Sequence, residues 1–335
     1  MKNLKKCIPV TVAAALTAIA SYADTHHFSI GTANQFSIDF VNIGYAGNAG
    51  TTIDYQTTPD FSPGFDSPND FGVSGYDAPP AAYGAVGYAY GIGKYEVTID
   101  QFTKANTASG GQIASGNGDL WNSGVADWNG NPVLIGLNAP AAQLKWNDAA
   151  RFANWLTSGD VNVGAYQFSG DTLTGINRSY RNGDDLAFVL PSEDEWFKAA
   201  YYMPVDDGSY SLYSSGLGTS PVVGTSNGWN YNPAHTLQHM WEVGSGAEEQ
   251  NGTYDMMGNV WEWTETAAYD ANYVVRGASA YAPEQYLDSQ NYRLISAEEE
   301  ANIGLRIAVI PEPNTMAIMV LTAAGIVGNR RFFII

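Results

Sequence analysis

The stretch Tyr254-Asp255-Met256-Met257-Gly258-Asn259-Val260-Trp261-Glu262-Trp263 decides how this chain is read. Gly258 permits a tight turn, and Trp261 and Trp263 are large aromatics suited to filling a core. By residue chemistry alone, Asp255 and Glu262 cap such a turn or face solvent around it.

Working outward, three further segments carry comparable information. Gly93-Lys94-Tyr95-Glu96-Val97-Thr98 closes an aromatic, β-prone run that begins at Tyr83. Thr98 and Gln101 then form a capping box that opens a short helix through Ala105. In Trp146-Asn147-Asp148-Ala149-Ala150-Arg151-Phe152-Ala153-Asn154-Trp155-Leu156, Asn147 serves as a cap. Ala149, Phe152, Ala153 and Leu156 share one apolar stripe of the helix that follows. Leu190-Pro191-Ser192-Glu193-Asp194-Glu195-Trp196 carries a second capping box, with Trp196, Ala199, Ala200 and Met203 expected on the buried side. Phe36, Ile38 and Phe40 alternate with Ser37 and Asp39, which predicts a half-buried strand over 36–43. Residues 45–82 are rich in Gly, Pro, Asp and Ser and read as a long surface loop. Short helices separated by irregular Gly-rich sequence make an α+β chain with much coil, and no repeat of fixed period is present.

Composition narrows the class. The chain has 36 Gly, 21 Tyr and 9 Trp among 335 residues, which suits a loop-rich, aromatic-packed domain and not a helical bundle. Lys2, Lys5 and Lys6 precede an apolar run from Ile8 to Ala20, and Ser21-Tyr22-Ala23 offers small residues at a cleavage site, so residues 1–23 read as a secretory signal. At the other end, Pro311-Glu312-Pro313 precedes an apolar run from Met316 to Val327 and then Arg330-Arg331, a stop-transfer arrangement. Between these ends, residues 24–310 form a body of about 290 residues, enough for one large domain. Five of the 15 basic residues and one of the 34 acidic residues lie in the ends, so the body is near −23. Such a surface argues against nucleic acid and favours divalent cations. The single cysteine, Cys7, lies in the leader. The mature body therefore has neither a disulfide nor a thiol nucleophile.

The four segments, with Arg276-Gly277-Ala278-Ser279 and Gly304-Leu305-Arg306 closing the chain, resemble the formylglycine-generating enzyme family, also called the sulfatase-modifying-factor domain. The likeness covers roughly residues 85–309 and implies a variant of the C-type lectin fold. It also implies a structural Ca²⁺ held by the side chains of Asp255 and Glu262 and the backbone carbonyls of Gly258 and Val260. A hard cation of that kind takes several oxygen ligands, which a Gly-containing turn can aim at one point. Members that oxidise a substrate cysteine use two cysteines that bind copper(I), for which soft thiolates are suited. Here Ala282 stands where the first belongs and no thiol follows, so copper and the oxidase activity are expected to be absent. The C-terminal tail over 311–335 resembles the PEP-CTERM sorting signal of Gram-negative bacteria. That likeness implies transient anchorage in the inner membrane, processing by an exosortase-type protease, and release to the cell surface or extracellular matrix.

Other chemistry is thinner. His235 and His239 stand at i, i+4 with Glu242 three further on, a spacing open to a transition metal or to ordinary surface histidines. His26 and His27 read as solvated. Glu248-Glu249, Glu298-Glu299-Glu300 and Asp184-Asp185 read as solvated or turn carboxylates. The first expectation is a calcium-stabilised binding module whose exposed aromatics, among Tyr76, Tyr83, Tyr281 and Tyr286, grip extracellular glycan or peptide. The alternatives are an oxidoreductase with a non-thiol metal centre and a purely structural matrix component.

Overall fold

The alternation over 36–43 produces a strand whose apolar positions reach the core: Phe36, Ile38, Phe40 and Ile43 are buried while Asp39 faces solvent. The computed structural model describes residues 24–52, 82–114, 136–231, 239–298 and 302–311, apart from positions 184–185, 205, 207, 217 and 269–271. Most of the expected 45–82 loop, Tyr76 included, lies outside them, as do His235, Asp184-Asp185, the leader and the tail beyond Pro311.

The element order is β1 (Thr25–Phe28), β2 (Phe36–Ile43), β3 (Tyr90–Gly93), α1 (Ile99–Ala108), α2 (Trp146–Ser158), β4 (Tyr166–Ser169), β5 (Thr172–Ile176), β6 (Leu186–Val189), α3 (Glu193–Tyr201), β7 (Tyr202–Met203), β8 (Ser209–Tyr210), β9 (Trp261–Ala267), β10 (Asn272–Arg276), β11 (Arg293–Ser296), β12 (Ile303–Leu305) and β13 (Ala308–Pro311). A five-stranded sheet runs β1-β2-β3-β13-β6, and a four-stranded one runs β11-β10-β9-β12. In the second sheet β9 pairs antiparallel with β10 and parallel with β12. The two sheets and three short helices share one aromatic core that includes Trp146, Trp196, Trp263, Phe102, Phe152 and Phe197. Among the described residues no helix is long and apolar enough to cross a membrane.

Both capping boxes form. Thr98 accepts from Gln101 N, and Ser192 accepts from Glu195 N, each at 3.2 Å. The α1 helix runs three residues past Ala105. The cap of α2 differs from expectation: Lys145 is the cap residue, and the Asn147 amide instead donates to Asp171 O at 2.7 Å. Asp148 holds the Lys145 N–H from the third helical position, which moves the start two residues earlier. The stripe itself is as read, with Ala149, Phe152, Ala153 and Leu156 all buried. Met203 is not on the buried side of α3, because the backbone turns extended at Tyr202 to pair β7 with β8 and leaves Met203 half-exposed.

Candidate functional site

The turn at 254–260 is built on left-handed backbone. Asp255, Gly258 and Asn259 have φ of 60°, 87° and 61°. A Cβ at Gly258 would lie 2.1 Å from Asn230 O, so the close approach of these two segments admits only glycine. Asn259 pins the turn from inside: its amide donates to Glu96 Oε2 at 2.6 Å, and its Oδ1 accepts from Trp241 N and from the Asn230 amide. Val260 N reaches the other Glu96 oxygen at 3.2 Å.

Below the turn lies a buried ion pair. Arg306, fully enclosed, donates to both oxygens of Glu262 at 2.8 to 3.2 Å, to Gly93 O at 2.8 Å and to Tyr254 O at 2.7 Å. Trp196 Nε1 donates to Glu262 Oε2 at 2.7 Å. Burial works against the Arg306 charge, yet Glu262, together with the further charges of Glu96 and Glu249, outweighs it and raises the guanidinium's affinity for its proton.

Two more carboxylates surround this pair. Glu249 is buried and accepts from Ser214 Oγ at 2.6 Å, Thr253 Oγ1 at 3.0 Å and Met256 N at 3.1 Å. Burial pushes its carboxyl up to about 7, against the pull of the Ser214 hydroxyl. Asp255 is buried as well, and among the described residues one hydrogen bond, from Gly244 N at 2.7 Å, reaches it. Burial pushes it up to about 6. Glu96 is held well above the usual carboxylate range, by burial first and then by the charges of Asp255 and Glu262. Four carboxylates and one guanidinium thus share a dry region, an arrangement that calls for protons or a further cation.

The expected calcium ligands divide on this geometry. Asp255 suits a hard cation, being a buried carboxylate with spare acceptor capacity on a Gly-rich turn. Glu262 does not, because Arg306 and Trp196 already use both of its oxygens. Among the described residues no three His, Cys, Asp or Glu side chains form a metal-holding group, so a cation here would depend on backbone carbonyls such as those of Gly258 and Val260. His239 is exposed on non-helical backbone, and its carbonyl accepts from the Asn230 amide.

The segment after β10, where the resemblance puts cysteines, is packed with small and apolar groups. Ala278 and Ala280 are fully buried and Ala282 is 8% exposed, with Leu287 enclosed behind them. Arg276 anchors the segment, donating to Glu193 Oε1 at 2.5 Å and to Ser289 O at 3.0 Å, with its guanidinium 5.2 Å from the Phe197 and Tyr292 rings. The Tyr281 hydroxyl is buried and has no hydrogen-bond partner among the described residues, and burial pushes its phenol up to about 12.

Several sequence expectations change here. Tyr83 is not an exposed gripping aromatic: it is 2% exposed and packs against Phe197. Tyr281 and Tyr286 are half-buried, and among the described residues the exposed tyrosine is Tyr45. Glu249 is buried in the carboxylate group, whereas Glu248 is exposed and accepts from Tyr254 Oη. Glu298 is exposed and pairs with Lys145 at 3.0 Å. His26 is half-buried, edge-on to Phe40 and Phe188 at 5.4 and 5.3 Å, while His27 faces outward. Glu96 is a member of the site that sequence reasoning passed over, and Glu249 is one that it assigned to solvent or a turn. The one available signal was that Glu96 sits inside a diagnostic segment.

A coil-rich α+β domain with this buried turn is the lectin-like architecture of formylglycine-generating enzymes. The chain belongs to the sulfatase-modifying factor enzyme 1-like domain family, whose model matches residues 63–310. Its fold is similar to the crystal structure of CarF, with a TM-score of 0.56 at 19% identity over 82% of this chain and 98% of that one. It is also similar to PvdO from Pseudomonas aeruginosa, with a TM-score of 0.54 at 15% identity over 86% and 98%. None of the curated proteins compared matches it.

Proposed function

We propose that this chain is an exported surface or matrix protein whose formylglycine-generating-enzyme-like domain serves as a calcium-stabilised binding module and not as a copper oxidase. The observation that carries this reading is the absence of a thiol in the body of the chain. The sequence has one cysteine, Cys7, in the leader, and position 282 is a buried alanine. Copper(I)-thiolate chemistry has no ligand in such a body. Asp255, Gly258 and Val260 are the residues that would hold calcium, whose role there is to balance buried negative charge. The order of leader, Pro-Glu-Pro, apolar run and arginines supports export, processing by an exosortase-type protease and a surface or matrix destination. Extracellular glycan or peptide is the proposed ligand class.

The test incubates the purified protein with a cysteinyl peptide, copper(I) and oxygen, and separately probes a glycan array. The expected outcome is no aldehyde product together with a defined glycan signal. Aldehyde formation overturns the non-catalytic reading, and a blank array overturns the glycan assignment.

A further inference from the structure

Two roles compete for Glu262: the family likeness implies a calcium ligand, and the packing makes it the partner of Arg306. A carboxylate offers about four lone-pair sites. Here three N–H groups serve them: Arg306 Nη2 at 2.8 Å on Oε1, Trp196 Nε1 at 2.7 Å on Oε2, and Arg306 Nε shared between Oε2 at 3.0 Å and Oε1 at 3.2 Å. Both ions are fully buried. Turning Glu262 toward a cation strips the guanidinium of its counter-charge inside a dry core, which is strongly unfavourable. The Arg306 donors are fixed on the other side by Gly93 O and by Tyr254 O, the carbonyl immediately preceding Asp255. The guanidinium therefore ties β3, β9 and the start of the turn to one point.

We propose that Arg306 is a built-in counter-ion that removes Glu262 from the ligand set and shapes the 255–260 turn, so that a divalent cation is carried on the Asp255 side alone. Arg306 is on this view a positioning residue, acting through the turn and not on the ion. The proposal deepens the calcium reading and rests on it only for the ligand half.

The experiment uses the full-length chain and two readouts. Calcium binding is followed by isothermal titration for the wild type, Asp255→Asn and Glu262→Gln. The expected result is at least about a tenfold loss for Asp255→Asn and a change within about twofold for Glu262→Gln. A loss for Glu262→Gln as large as that for Asp255→Asn overturns the proposal. The second readout is thermal melting in chelator for Glu262→Gln, Arg306→Met and the double variant. Arg306→Met is expected to lower the melting temperature more than the double variant does, because it leaves a buried carboxylate unpaired. An unchanged melting temperature for Arg306→Met, or strictly additive effects, overturns the ion-pair half without any reference to calcium. A wild type that binds no calcium sinks the calcium reading alone, and the chelator series then decides the role of Arg306.

Discussion

Gly258 is the residue on which the site is most exposed to damage. Its φ of 87° and the 2.1 Å approach of Asn230 O leave no room for a Cβ. Gly258→Ala is expected to cost about 3 kcal/mol or more, combining left-handed strain with a backbone clash. A chemical-denaturation midpoint equal to that of the wild type would contradict this. Titration gives a second residue-scale prediction. The folded carboxyls of Glu249 and Asp255 are raised to about 7 and about 6, so the native state holds protons that the unfolded chain has released. Stability from these groups is complete below their unfolded values near pH 4 and is lost as pH rises through about 6 to 7, a change of about 3 kcal/mol for Glu249. In chelator the melting temperature should be higher at pH 5.5 than at pH 8, and Glu249→Gln should flatten the profile. A wild-type profile that rises with pH would refute the assignment.

The capping boxes are testable one element at a time. Ser192 and Glu195 bind each other's backbone N–H at the start of α3, and Glu195 also accepts from Arg178 at 2.7 Å and from Tyr88 at 2.5 Å. Ser192→Ala removes only the cap and should cost about 1 kcal/mol, read as a shifted urea midpoint with an unchanged slope. Glu195→Ala also removes the closer of the two carboxylates on Arg178, leaving Glu265 at 3.6 Å, and should cost more than Ser192→Ala. Equal losses for the two would show that the carboxylate matters only as a cap. At this scale local signals were legible because caps and stripes act over three or four residues. The α2 cap was misread for the same reason: Asn147 and Asp148 both suit a helix start, and the pull of Asp171 O on Asn147 comes from 24 residues away.

Across the whole molecule, the strand order sets what can be removed. Ala308–Pro311 forms β13, between β3 and β6 in the five-stranded sheet, with Ala308 and Val309 fully buried. A chain ending at Pro311 should fold with an unchanged melting temperature, and one ending at Ile307 should fail to fold, as judged by circular dichroism and proteolysis. Equal stability of the two would place the core elsewhere.

The amino-acid sequence by itself determined the family, the α+β class, the three helices, the strand at 36–43 and the lack of a thiol. Those readings rest on residue identity and short-range periodicity. Only tertiary structure decided that Glu262 belongs to Arg306, that Glu249 and Glu96 join the same buried group, and that Tyr83 is enclosed. The Arg306–Glu262 pair and the contact of Val260 with Glu96 join positions 44 and 164 residues apart, across which no local pattern carries information.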